Sequence, residues 1–157
     1  ISGIRWDDIH FNDSEYEKWA AYGQSKTAAS LLAIEVDKRM KDSGIRAFGV
    51  HPGGIMTPLQ RHLEQEEMVA LGWMDKDGQP TERVAKMFKT ATQGASTSLW
   101  AATSPQLDNI GGVYCENCEV AAPTDDSENA RFIGVNDWAI DSEEASRLWD
   151  ETERMLS

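Results

Sequence analysis

The sequence lacks the long apolar run of a membrane-spanning helix, which needs roughly 20 consecutive apolar residues. It also lacks a basic segment followed by an apolar stretch near its first residues, the pattern of a secretory signal. Basic residues are few, because 15 lysines and arginines stand against 27 acidic residues and give a formal charge of -12. Such a charge disfavours binding to nucleic acid or to an anionic membrane surface. We therefore expect a soluble cytoplasmic protein that binds neither nucleic acid nor membranes.

Cysteine is also scarce. The two cysteines, Cys115 and Cys118, form a C-x-x-C pair. A structural zinc site would need a second pair of ligands, and the three histidines have no metal-like spacing to these cysteines. A reactive thiol needs an electropositive environment, whereas Glu116 and Glu119 lie beside the pair. The sequence therefore predicts no metal site and no redox function here.

The chain of 157 residues is long enough for one domain. Apolar residues recur every four positions over residues 19–41 and predict a helix that Gly44 would end. Residues 45–50 are mostly apolar and predict a buried strand. Thr57 and Pro58 predict the start of a helix over 59–71, and a further helix is predicted over 92–102. A strand is predicted over 113–115. A final helix follows, with Asp141 and Glu144 at capping-box spacing. Helices that alternate with strands indicate an α/β fold.

The strongest candidates for chemistry are Tyr22 and Lys26 on the first predicted helix. Their spacing of four residues places a phenol and an ammonium on one helical face. Taken alone, such a pair is more often a half-buried tyrosine beside a solvated lysine. Here the helix is followed by a strand that ends at the glycine-rich turn of Pro52, Gly53 and Gly54. Because ligands bind at the carboxyl ends of strands in open α/β sheets, this context favours a binding site.

At these residues the chain resembles the short-chain dehydrogenase/reductase family. Tyr22, Gly23, Gln24, Ser25 and Lys26 match its YxxSK motif, and residues 51–59 look like the proline-glycine motif that follows a strand in the family. The retinol-dehydrogenase-like branch is the nearest match, and the resemblance covers nearly the whole chain. It implies hydride transfer between NADP, or NAD, and a hydroxyl or carbonyl group of a small-molecule alcohol or ketone.

The resemblance also implies roles for individual residues. Tyr22 would donate or accept the proton on the substrate oxygen, as a positioned phenol can. Lys26 would hydrogen-bond the nicotinamide ribose, and its charge would favour the ionised phenol. Thr57 would hold the carboxamide or a phosphate oxygen of the cofactor. The backbone would approach the nicotinamide at Pro52, Gly53, Gly54 and Ile55.

Two parts of the family pattern have no match in this sequence. No G-x-G-x-x-G motif is present, and the family's catalytic serine falls upstream of the aligned residues. The chain thus resembles the C-terminal half of a Rossmann-like doubly wound parallel sheet, with two strands and flanking helices. Because so small a parallel sheet is marginal by itself, we expect a homo-oligomer or association with an N-terminal half. A non-catalytic binding or regulatory remnant of the fold is the alternative function.

The resemblance divides the chain into five segments within a single domain. If apolar side chains of the segment at residues 58–87, here called the lid, face the nicotinamide, the substrate is bulky and apolar; otherwise they pack on the core. The segments are a loop at 1–18, the catalytic helix, strand and proline-glycine loop at 19–57, the substrate lid at 58–87, the last helix and strand at 88–115, and an acidic C-terminal segment at 116–157.

Overall fold

A computed structural model describes residues 2–124 and 133–157 and has an α/β architecture. Its sheet has three strands in the order β1 (Phe48–His51), β2 (Val113–Glu116) and β3 (Glu119–Val120). β1 and β2 are parallel, with Gly49 opposite Tyr114, whereas β2 and β3 are antiparallel. The expectation of only two strands is therefore wrong.

The third strand arises from the C-x-x-C segment. Asn117 and Cys118 both have positive φ angles, 50° and 60°, which is the geometry of a tight two-residue hairpin turn. Cys115 lies on β2 before this turn and is buried, whereas Cys118 lies in the turn and is exposed. The spacing of the two cysteines thus follows from a β-hairpin.

The predicted first helix is confirmed as α1 (Lys18–Met40), whose first amides donate to the Glu17 carboxylate. The apolar residues that predicted this helix are not the ones it buries. Leu32 is 49% exposed and Met40 is 41% exposed. The buried side is largely polar and consists of Gly23, Gln24, Thr27, Ser30, Leu31, Glu35 and Asp37.

The strand after α1 is shorter and lies later than residues 45–50, so the predicted bounds are wrong. The Ile45 amide donates to the Met40 carbonyl and continues the end of the helix. Asp37 accepts hydrogen bonds from the Arg46 side chain and from the Ala47 amide. These contacts hold residues 45–47 in the connection between helix and strand.

The continuous helix predicted over residues 59–71 is wrong, although its start at Thr57 is confirmed. A 3₁₀ turn (Pro58–His62) is capped by Thr57 and is followed by extended backbone at Leu63. The chain then forms α2 (Gln65–Ala70) and, after a turn, α3 (Glu82–Met87). The Gln60 side chain accepts from the Thr57 amide and donates to the Ile55 carbonyl, so it ties the first turn back to the preceding loop.

Both remaining helix predictions are confirmed, by α4 (Ala91–Thr103) and α5 (Ser142–Leu156). Asp141 caps α5, but the carboxylate of Glu144 does not complete a capping box, because it accepts from the indole N–H of Trp6 at 2.6 Å instead. α5 packs along α1, and α1 and α4 both contact the sheet. None of the helices within the described ranges is both long enough and apolar enough to cross a bilayer.

Candidate active site

Tyr22 and Lys26 lie one turn apart on α1 and contact each other. The Lys26 ammonium is 5.1 Å from the centroid of the Tyr22 ring. Tyr22 is 41% exposed, and Lys26 is exposed. Neither the Tyr22 hydroxyl nor the Lys26 ammonium forms a hydrogen bond or an ion pair with another residue in the described ranges. A hydroxyl donor and a cation are therefore available side by side to a ligand.

In the described part of the chain, one aromatic ring contacts Tyr22. The Trp19 ring meets it edge to face at 6.0 Å between centroids. Burial raises the pKa of Tyr114 on β2, and Glu116 and Tyr22 raise it further. Gly49 makes room for Tyr114, since a Cβ atom at Gly49 would lie 3.0 Å from that ring. Tyr114 is not among the predicted site residues, although the predicted strand at 113–115 contains it.

The loop that follows β1 is packed against residues 88 and 89, which come directly after the lid. Gly53 has φ +90°, and a Cβ atom there would lie 2.9 Å from Cδ of Lys89. A Cβ atom at Gly54 would lie 2.9 Å from the Phe88 ring, and the Lys89 amide donates to the Gly54 carbonyl at 2.8 Å. Both glycines are thus required by these neighbours. The approach of a nicotinamide to their backbone stays a prediction.

The other predicted residues of this loop also have structural partners. Ile55 packs against α4, where a side chain at Gly94 would overlap it. The Thr57 hydroxyl accepts from the Leu59 amide and donates to Oε1 of Gln60, each at 3.2 Å. Thr57 is therefore engaged in helix capping, and its predicted contact with a carboxamide or phosphate stays a prediction. Pro52 is exposed.

The carboxyl ends of β1 and β2 carry titratable groups that are not among the predicted site residues. The Nδ1 atom of His51 is 3.8 Å from a carboxylate oxygen of the buried Glu116, which also accepts from the Gly134 amide at 2.6 Å. Burial lowers the pKa of His51, although Glu116 opposes this effect. Lys89 also lowers the pKa of His51 and donates to the Asn117 side chain at 2.6 Å.

The structure brings some of the predicted residues together. Tyr22 and Lys26 contact each other, whereas residues 52–57 contact the lid and α4. No hydrogen bond or ion pair among the described residues joins these two groups directly. They are linked through the sheet, because Tyr114 and Glu116 lie on one face of β2, opposite Gly49 and His51.

No cluster of three or more metal-ligating side chains occurs in the part of the chain that the structure describes. Burial raises the pKa of the Cys115 thiol. This direction disfavours the thiolate that either metal binding or thiol exchange would require.

Comparison with known proteins gives no matching family model, but it identifies similar proteins. A short-chain dehydrogenase/reductase from Penicillium roqueforti is 34% identical over 157 residues, which are 100% of this chain and 44% of that protein. A probable oxidoreductase from Streptomyces lividans is 40% identical over 145 residues, or 92% of this chain and 48% of that protein. A retinol dehydrogenase from Mus musculus is 29% identical over 153 residues, or 98% and 41%.

A crystal structure of an uncharacterised protein from Mycobacterium paratuberculosis has the same fold over 98% of this chain and 44% of its own, with a TM-score of 0.57 and 23% identity. The chain spans less than half the length of the curated relatives that it matches. The sequence relatives are oxidoreductases by name, and the motif residues Tyr22 and Lys26 lie where a ligand can reach them. Over its whole length the chain is similar to members of the short-chain dehydrogenase/reductase family.

Proposed function

We propose that the protein is an NAD(P)-dependent oxidoreductase that transfers a hydride between a nicotinamide cofactor and a hydroxyl or carbonyl group of an apolar substrate. The observation that carries this proposal is the contact between Tyr22 and Lys26, whose hydroxyl and ammonium have no hydrogen bond or ion pair with the other described residues. The relatives named as oxidoreductases and retinol dehydrogenases support the same reaction class.

The two residues have complementary roles in this proposal. Tyr22 moves a proton to or from the substrate oxygen, and its partial exposure gives the substrate access. Lys26 hydrogen-bonds a ribose hydroxyl, and its charge beside the ring favours the ionised phenol during the reaction. The bound nicotinamide cofactor, NADP in preference to NAD, supplies or accepts the hydride. Neither the Tyr22 hydroxyl nor the Lys26 ammonium is bonded to another described residue, so both are available to the nicotinamide cofactor and its substrate.

The loop at residues 52–57 would border the nicotinamide in this proposal. It follows β1 at the carboxyl edge of the parallel strands, the edge at which open α/β sheets bind ligands. The G-x-G-x-x-G motif and the family's serine are not among these 157 residues. We therefore infer that the reaction needs residues beyond this sequence, and that the 157 residues alone are catalytically incomplete.

Calorimetric titration of NADPH tests the cofactor site. We expect Lys26→Ala to weaken binding about tenfold or more, because a hydrogen bond from a charged donor is lost. Lys76→Ala is the matched control, since Lys76 is an exposed lysine in the turn before α3. Equal weakening by both variants would exclude a specific role for Lys26.

Turnover in the full-length protein tests the proton transfer. Tyr22→Phe keeps the ring and removes the hydroxyl, and we expect turnover to fall by about 100- to 10,000-fold. Tyr16→Phe is the matched control, because Tyr16 is 67% exposed and its ring packs only on Phe11 among the described aromatic contacts. Wild-type turnover in Tyr22→Phe would refute the assignment.

A non-catalytic binding or regulatory role is the second candidate. The exposed apolar stripe of α1, which includes Leu32 and Met40, favours a role in association. This stripe also supports our proposal that the chain self-associates or binds an N-terminal half.

The two cysteines are free, which is typical of the reducing cytoplasm where we place the protein.

A further inference from the structure

One carboxylate connects the lid to the helix that carries Tyr22. Glu67 on α2 accepts a hydrogen bond from the Lys18 ammonium at 2.5 Å through one oxygen. Its other oxygen accepts from the indole N–H of Trp19 at 3.2 Å. The Glu67 side chain is only 20% exposed. Both donors lie in the first turn of α1, immediately before the turn that contains Tyr22.

The Trp19 indole continues this connection to Tyr22. Its ring meets the Tyr22 ring edge to face at 6.0 Å, while its N–H is held by Glu67. The Lys18 ammonium lies 5.9 Å from the same indole. The orientation of the indole is therefore defined from both sides, by a carboxylate of the lid and by the ring of the proposed proton donor.

The loop after β1 is also joined to the segment that directly follows the lid. The Lys89 amide donates to the Gly54 carbonyl at 2.8 Å, and Ile55 and Lys89 form a β-bridge. Both hydrogen bonds that join α2 to α1 in the described part of the chain end on Glu67. Leu71, four residues after Glu67, is the C-cap residue at which α2 ends.

We propose that Glu67 is a positioning residue that holds the lid against α1, fixes Trp19 beside Tyr22 and so determines which substrates are bound. This inference rests on the proposed oxidoreductase function. A bulky apolar ketone extends beyond its carbonyl group and is enclosed by the held lid. A small ketone ends near Tyr22 and gains little from this cover.

Hydrogen exchange tests the attachment without any need for turnover. In Glu67→Ala we expect the amides of α2 to exchange about tenfold faster than in the wild type, because both hydrogen bonds to α1 are lost. Glu66→Ala is the matched control, since Glu66 is the exposed neighbour on the same helix. Trp19→Phe removes one donor but keeps an aromatic ring beside Tyr22, so it should accelerate exchange by a smaller factor. Equal exchange in Glu67→Ala and Glu66→Ala would overturn the proposal.

Steady-state kinetics with NADPH test the effect on specificity in the full-length protein. We expect Glu67→Ala to raise the KM for a bulky cyclic ketone about tenfold, and the KM for acetone by less than about twofold. Glu67→Gln keeps an acceptor for the Trp19 N–H and should recover most of the loss. An equal change in KM for both ketones would overturn the specificity role. If the wild type reduces neither ketone, the proposed function fails, and the exchange rates alone decide whether Glu67 holds the lid.

Discussion

Two adjacent leucines of α1 should differ sharply in what they contribute to stability. Leu31 is fully buried, with 0% exposure, whereas Leu32 is 49% exposed. Truncating a fully buried leucine removes its packing and leaves a cavity, so we expect Leu31→Ala to lower the free energy of unfolding by about 2 to 5 kcal/mol. Leu32 already has half of its surface in water, so we expect Leu32→Ala to cost about 1 kcal/mol or less. Both substitutions replace leucine by alanine within the same helix. The change in helix propensity is therefore the same in the two variants and cancels when they are compared.

Urea unfolding followed by circular dichroism measures both variants. The comparison is made at two protein concentrations, because the cost of Leu32→Ala would grow with concentration if a second copy of the chain covers Leu32. Such growth would support self-association through the apolar stripe. If Leu32→Ala costs as much as Leu31→Ala at both concentrations, the reasoning from burial within one chain is refuted.

Two further predictions concern the charged groups that α1 buries. Gly111→Ala should lower the melting temperature, because an added Cβ atom would overlap the Asp37 carboxylate and the Arg46 guanidinium; an unchanged melting temperature would contradict this. Stability should also fall on acidification. Hydrogen bonds from Arg46 lower the pKa of Asp37 below its ordinary 3.8. Burial alone would raise the pKa of Glu35, but hydrogen bonds from Arg39 and other donors lower it below 4.5. Both carboxylates therefore stabilise the fold above their ordinary pKa values, and this contribution is lost as the pH falls through the lowered ones. Melting temperatures between about pH 5 and pH 3 measure this loss.

Local sequence patterns predicted those elements whose signals are local. Helical periodicity predicted α1 and α4 to within a few residues, and the capping signal at Asp141 marked the start of α5. The strand β3 has only two residues, both exposed, so no alternation of apolar residues marks it. In the lid, apolar spacing continues across Leu63 although the backbone there is extended. The spacing of apolar residues cannot reveal such a break. It indicates which side of a helix would be buried, but it does not show whether the backbone hydrogen bonds of the helix continue.

The residues of the candidate site also fall into two groups, those with a local signal in the sequence and those that only the fold brings together. Tyr22 and Lys26 could be found because their contact is set by one turn of helix. The effect of Tyr22 on the pKa of Tyr114 depends on the fold, which brings α1 and β2 together from distant parts of the sequence. Glu67 reaches Trp19 across 48 positions of the chain, and the sequence around it differs little from that of any surface helix. Contacts of this kind depend on the fold and have no local signal.

The buried side of α1 explains why its apolar stripe faces outward. Gln24 accepts from the Arg5 amide and donates to the Ile9 carbonyl, so it holds the N-terminal loop. Ser30 donates to the Ala139 carbonyl at 2.7 Å and holds the turn before α5. Because buried polar groups must have partners, these bonds fix the rotation of the helix about its axis. That rotation presents Leu32 to the surface, and it is the same rotation that leaves the Tyr22 hydroxyl accessible. A variant that turned the apolar stripe inward would therefore remove Tyr22 from the position in which we propose that it acts.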